Sequence, residues 1–306
     1  MKFEVLHNGV NIVDYGIVSA CCSSDRYGGM LDDLTISFAS ENNTLTFNKD
    51  DKLIVRTENG FTTGTMHLDS YVGKDGRFAI TGISCRHENK KRKSRIWNYV
   101  RLMKIIGDVA ANTGLTPKTY GVKDYTYASV AQIMETDLEF LVRICKREGY
   151  SIKCDNGNLI VFNEYYIENS GSPITISKSD AEHGYSFNKS VNGLASMTVK
   201  CFDIEEKRII SYTARDDEIS GGEDAKLEFM TQASEAERFA KGYLRAANKF
   251  YITGELLMPY NGGISAGTVA DLKDFEDNDG RYVVYEVRHD FVNEKTIIKV
   301  RKVLAY

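Results

Sequence analysis

Three pairs of closely spaced carboxylates are the groups in this 306-residue chain best placed to do chemistry: Glu135 with Asp137, Asp216 with Asp217, and Glu276 with Asp277. Two carboxyls facing each other across a cleft can hydrolyse a glycoside, one protonating the leaving oxygen while the other attacks or activates water. That chemistry needs one carboxyl held in an apolar pocket with a raised pKa. Glu135 and Asp137 instead flank Thr136 where a helical pattern begins, and negative charge there suits the helix dipole. The other two pairs sit in polar, turn-like stretches and read as solvated. The five histidines, His7, His67, His87, His183 and His289, are scattered singly. Strand alternation puts His289 on one face with Val283, Tyr285, Val287 and Phe291, so it reads as an inward core histidine rather than a catalytic base. The six cysteines (Cys21, Cys22, Cys85, Cys145, Cys154, Cys201) form no Cys-x-x-Cys pair and lack metal-ligand spacing. Cys145 and Cys154 fall on apolar faces, as buried reduced thiols do. No P-loop, nucleotide-binding glycine fingerprint, zinc-protease motif or nucleophile elbow is present. The residues therefore nominate no catalytic, cofactor-binding or metal site.

Two further features could touch a partner. The basic run Lys90-Lys91-Arg92-Lys93-Ser94-Arg95 could meet nucleic acid or an acidic surface; the plainer reading is an exposed connection between a β-rich segment and helices. Trp97, the only tryptophan, follows it and reads as a packing anchor. The loop Arg26-Tyr27-Gly28-Gly29-Met30 precedes a strand, not a helix N-terminus, so it is no phosphate cradle. It reads equally as a contact loop or a plain connection.

The elements that must carry these residues are mostly strands. Residues 1–85 hold alternating runs such as KFEVLH, DDLTISFAS, KLIVRTE and RFAITGISC. Residues 90–148 read as helical, with Asn98 as an N-cap and Leu102, Ile105, Ile106, Val109 and Ala110 on one face up to Gly114. Thr136 and Glu139 form a capping box, Lys146 and Arg147 suit the same helix's C-terminus, and Gly149 supplies a left-handed cap. Asn156-Gly157 then predicts a tight hairpin pairing Cys154 with Leu159 and Ile152 with Val161. Strands return over 174–306, interrupted by a helix with a Ser234–Glu237 capping box and a stripe of Ala236, Phe239, Ala240, Tyr243, Leu244 and Ala247. Seven Asn-Gly or Asp-Gly pairs, at 8–9, 59–60, 75–76, 156–157, 192–193, 261–262 and 279–280, punctuate a chain of hairpins.

Composition bounds the rest. A hydrophobic fraction of 42% with 27% charged residues suits a folded protein, and the length allows about two domains. A net charge of −4 argues against nucleic acid as a specific ligand. No apolar run approaches the roughly 18 residues of a membrane helix, and the first residues lack the apolar block of a signal peptide. Assembly in the cytoplasm, with no membrane partner, is the expectation.

The stretch 129–164 resembles the late control protein D family, the baseplate hub proteins of contractile-tail phages and phage-tail-like particles. The resemblance rests on Gln132, Glu135, Thr136, Asp137, Leu138, Phe140, Leu141, Arg143, Glu148, Gly149 and Asn158 to Phe162, with Thr136 where serine is usual. It extends to Ile105–Leu115 and to Gly280–Val284 followed by Val287, Arg288 and His289. What it implies is a mainly β protein with α insertions (α+β): two tail-tube-like β-barrels, at 1–89 and 166–306 (the latter with a helix at 234–248), flanking a helix-plus-hairpin middle domain at 90–165. It further implies a non-enzymatic structural hub without cofactor or metal. Three copies would present six barrels, adapting a threefold central spike to a sixfold tail tube, with tube, spike and other baseplate proteins as partners in a virion tail or extracellular particle. Two alternatives stand beside it: a tail-tip hub with peptidoglycan-hydrolase activity, and a cell-wall-binding β-module. A fused hydrolase would require an extra domain, for which the extent of the match leaves no room.

Overall fold

A computed structural model describes residues 1–13, 18–28, 31–39, 46–74, 77–86, 90–182, 184–203, 207–219, 221–229 and 233–306. The first segment contributes β1 (Phe3–His7), β2 (Val10–Asn11), β3 (Val18–Arg26), β4 (Asp33–Phe38), β5 (Lys52–Thr57), β6 (Met66–Lys74) and β7 (Arg77–Ile83). The middle holds β8 (Lys93–Arg101), α1 (Leu102–Thr113), β9 (Thr116–Tyr120), β10 (Thr126–Glu135), α2 (Asp137–Arg147), β11 (Tyr150–Asp155), β12 (Asn158–Asn163) and α3 (Glu164–Asn169). The last segment runs β13 (Ile174–Ser177), β14 (Tyr185–Lys189), β15 (Leu194–Asp203), β16 (Arg208–Arg215), β17 (Glu223–Phe229), α4 (Ala233–Asn248), β18 (Ile252–Pro259), β19 (Val269–Lys273), β20 (Gly280–Asp290) and β21 (Lys295–Lys302). The protein is thus mainly β with a few helices.

Both β-rich segments enter one 13-stranded sheet, ordered β14-β18-β21-β20-β3-β4-β7-β6-β5-β1-β2, with β13 and β19 attached beside β20. Among the described residues the pairing path does not return on itself, so neither half closes into a barrel. β20 is the reason the halves join. Its first residues pair with β19, from Leu272↔Gly280 to Val269↔Val283, and its last with β3, from Glu286↔Arg26 to Asp290↔Cys22. A register shift between Val284 and Glu286 separates the two. That bulge breaks the alternation expected along the strand. Tyr282, Val284 and Val287 pack into the core of the last segment, whereas Val283 packs with Tyr27 and Phe162, joined by the partly buried Tyr285. His289 is buried as expected, but not on a face shared with Val283 and Tyr285.

The unit 129–164 folds as its residues dictate. Thr136 Oγ1 accepts from the Glu139 N–H and the Glu139 carboxylate accepts from the Thr136 N–H, completing the capping box. Gly149 takes φ +72° beyond the helix end, where a side chain would be strained. The hairpin pairs Ile152 with Val161 and Cys154 with Leu159. These four residues join Leu102, Ile105, Phe140 and Ile144 in the largest core, which also takes in Val199 from β15 and Phe239 and Leu244 from α4. All six cysteines are free thiols and buried.

Four expectations are corrected. The stretch 90–148 is not wholly helical: β8 and β10 form a two-stranded ribbon in which Asn98 lies opposite Ser129. Asn98 is therefore no N-cap, and α1 begins after Arg101 with no side-chain cap. The aromatic and β-branched residues Ile96, Trp97, Tyr99 and Val100 suit a pleated surface better than a helix. Ser234 lies inside the first turn of α4, which begins at Ala233, so it does not cap that helix. Asp216 is buried rather than solvated, because Asn248 Nδ2 and the Tyr306 hydroxyl donate to its Oδ2 at 3.0 and 2.8 Å. His87, His183, Asp75-Gly76 and Gly29-Met30 lie outside the described residues.

Candidate assembly surfaces and buried charge clusters

Most of the basic run pairs within the chain. Lys90 donates to Asp69 at 2.5 Å, and Arg92 donates to Glu139 at 2.9 Å and to the Met134 carbonyl at 2.7 Å. Lys93 and Arg95 both reach Asp137, at 2.7 and 2.9 Å, and Arg95 also donates to Gln132 at 2.9 Å. Asp137 is buried at the start of α2, so Lys93 and Arg95 fasten the β8–β10 ribbon to that helix, while Lys91 stays exposed. Trp97 anchors the same contact: its ring stacks on Phe140 at 4.7 Å and the Arg95 guanidinium lies over it at 4.0 Å. The ribbon's outer residues differ. Ile96, Tyr99, Ile133 and Met134 are 63–84% exposed, and both Tyr99 and Met134 adopt positive φ, at 48° and 52°.

The three candidate carboxylate pairs do not face one another across a cleft. Arg143 Nε and Nη2 donate to the two oxygens of Glu135 at 2.8 and 2.9 Å, which keeps it below the usual carboxylate range. Glu276 and Asp277 lie in an exposed turn. A general acid would need a carboxyl raised by burial and open to substrate. Glu148 is raised by burial, but Tyr127 Oη and Arg238 Nε donate to its two oxygens at 2.7 Å each and its side chain is fully buried. Burial and the neighbouring Asp25 charge likewise raise Asp32, whose Oδ1 accepts from the Arg26 N–H at 2.8 Å.

The densest charge cluster was invisible in the sequence. It gathers Tyr27 from the first segment, Glu164 and Glu168 from α3, Arg245 from α4 and Lys249 just beyond its end, and Arg301 from β21. Asn163 starts α3 by accepting the Tyr166 N–H at 3.2 Å. Glu168 Oε1 accepts from Arg245 at 2.7 Å and from Arg301 at 2.6 Å. Glu164 accepts from Lys249 at 2.9 Å, from Arg301 at 3.3 Å and from the Ser151 hydroxyl. Burial would raise Glu164, yet the cations of Lys249, Arg301 and Arg245 outweigh it and hold the group at about 2. Tyr27 accepts from Arg301 Nε at 3.0 Å, and the Gly28 N–H donates to the Ile152 carbonyl at 3.0 Å, so the described part of the 26–30 loop is an internal clamp.

A cleft of about 320 Å³ reaches this cluster, lined by Gly28, Ser151, Glu164, Arg245 and Lys249 among others. The serine's carboxylate partner is a poor base: with so low a pKa and three cations around it, Glu164 cannot take the hydroxyl proton near neutrality. A second clamp lies nearby. Lys153 pairs with Asp25, whose other oxygen accepts the Ala266 N–H at 2.9 Å, tying the hairpin to the first and last segments. Glu148 was visible in the sequence through the family resemblance. Arg301, Glu164, Glu168 and Arg245 carried no such signal, because single charges in polar stretches look alike before the chain is folded.

Compared by sequence, the chain matches no family profile and no curated protein. Compared by structure, it is similar along its whole length to phage tail proteins. The 43 kDa tail protein of prophage MuSo2 from Shewanella oneidensis superposes with a TM-score of 0.74 at 13% identity, covering 99% of this chain and 98% of that one. A tail protein from Neisseria meningitidis MC58 gives 0.75 at 12% identity, covering 98% and 96%. A type VI secretion system component of E. coli, itself similar to the T4 tail proteins gp27 and gp5, gives 0.63 at 8% identity, covering 99% and 77%. The resemblance read from the residues and the likeness read from the backbone agree: this chain has the fold of phage tail proteins.

Proposed function

We propose that this protein is a structural hub of a contractile tail baseplate, a homotrimer that adapts a threefold central spike to a sixfold tail tube. The observation that carries the reading is the likeness to tail proteins over nearly the full length of both chains. Two β-rich ends joined through β20 and braced by the middle unit are consistent with two tube-like lobes per subunit, divided at about 89 and 165. A trimer of such subunits would present six similar lobes, which is the symmetry match the role requires. Partners on this reading are the tube protein, the spike protein and other baseplate proteins of a virion tail or phage-tail-like particle, assembled in the bacterial cytoplasm. The role is non-enzymatic, which fits buried carboxylates engaged by cations, hydroxyls and backbone N–H groups.

Light scattering on the pure protein, alone and mixed with the tube and spike proteins of its own particle, tests the proposal. A trimer, alone or on mixing, with a six-lobed ring in electron micrographs, is the expected outcome. A monomer that binds neither partner would defeat it. Turnover of purified cell walls would instead establish the hydrolase alternative, and binding to walls without turnover the wall-binding one.

A further inference from the structure

His289 lies on the strand pair that joins the first and last segments, opposite Ser23 of β3. It is 1% exposed. Its Nδ1 is 3.0 Å from the Thr296 hydroxyl on β21, and that hydroxyl accepts the Asn261 N–H at 2.9 Å. Its Nε2 is buried with no hydrogen-bond partner among the described residues. The ring is boxed by aromatics drawn from both segments. Phe61, from the turn after β5, contacts it at 4.8 Å, while Tyr260 and Phe291 contact it at 5.3 and 6.1 Å between centroids. Phe291 in turn meets Phe3 of β1 and Phe61, at 6.0 and 5.7 Å. The hydroxyls of Tyr260 and Thr57 are likewise buried and face each other.

We propose that His289 is an acid-sensitive latch: protonating its ring loosens the packing of the first β-rich segment against the last. A neutral imidazole is tolerated in this box because only one nitrogen needs a partner strongly. The imidazolium would carry two N–H donors and a full charge, and the donor at Nε2 would have no hydrogen-bond acceptor among the described residues. The negative charge nearby is already engaged. The charged group that the imidazole feels is Asp25 on β3, which is already engaged by Lys153 and the Ala266 N–H. On its own strand, Arg288 is engaged with Cys22 and Asp290 with Asn293. Tyr260, Thr57 and Thr296 offer hydroxyls but no negative charge. Burial accordingly holds His289 down at about 4. Because the folded form resists protonation that the unfolded chain accepts, the stabilisation is present above pH 6.5 and is lost as the pH falls toward 4.

The test compares the full chain with His289→Gln, which can still bond Thr296 but stays neutral. Between pH 7 and pH 5 the unfolding constant of the unsubstituted protein should rise about 20-fold more than that of the variant. Hydrogen exchange at pH 4.5 should increase across residues 55–63 in the unsubstituted protein and not in the variant. Equal pH dependence of the two proteins would overturn the proposal. Should the variant not fold, the ring-proton resonances of His289 in the unsubstituted protein decide the matter: a midpoint below 5 supports the latch and one near 6.5 refutes it.

Discussion

Removing a charge from water is tolerated only where other groups replace its solvation. For Arg301 that falls to Glu164, Glu168 and Tyr27 through Nε and Nη2, Nη1 being buried without a partner among the described residues. Deleting one member leaves the others buried and uncompensated, which is where the penalty arises. Arg301→Met should therefore destabilise the protein by roughly 3–5 kcal/mol in urea unfolding, even though methionine fills much of the same volume. The sign of the acid response at this cluster is also set. Glu164 is held at about 2, below its ordinary value, so its contribution is present above pH 4.5 and lost as the pH falls toward 2. Glu164→Gln should flatten the stability curve in that window, and should leave untouched the higher window, between pH 6.5 and 4, that belongs to His289. Denaturant midpoints taken at half-unit pH intervals separate the two.

The elements show how local rules and close packing compete. At the start of α2 the local rule operates alone, and Thr136→Ala should cost about 1 kcal/mol by thermal unfolding. Gly242, inside α4, reverses the usual expectation. Glycine to alanine in a helix normally stabilises, by up to about 1 kcal/mol. Here an added Cβ would come within 2.2 Å of the Arg147 carbonyl oxygen, where the end of α2 crosses α4. Gly242→Ala should lower the melting temperature instead, and an unchanged or raised value would show that this crossing is looser than the structure has it. The hairpin at 150–163 was legible in register because its turn chemistry and apolar face agree. The β8–β10 ribbon was not, since charges at Lys93 and Arg95 hid an alternation that only Asp137 and Gln132 make sense of.

For the whole molecule, the joint between β20 and β3 matters most. Removing residues 1–89 would strip β3 from the far half of β20 and uncover Phe291, which packs in the core of the first segment. An exposed strand edge with an apolar face recruits other chains. Residues 90–306 expressed alone should therefore aggregate or unfold, as judged by size-exclusion chromatography, and a soluble folded fragment would show that the joint is dispensable.

Local sequence determined what depends on near neighbours: the strand-rich class, the capping box at Thr136, the Asn156-Gly157 turn and the apolar faces of α1 and α2. These follow from side-chain periods and backbone propensities that act over a few residues. Tertiary structure alone decided which charges are buried, because Tyr27, Glu164, Arg245 and Arg301 meet from four distant parts of the chain. It also decided that both β-rich ends share one sheet. Strand order is set by which edges find each other in space, and the bulge in β20 that lets it serve two partners leaves no mark in the residue pattern.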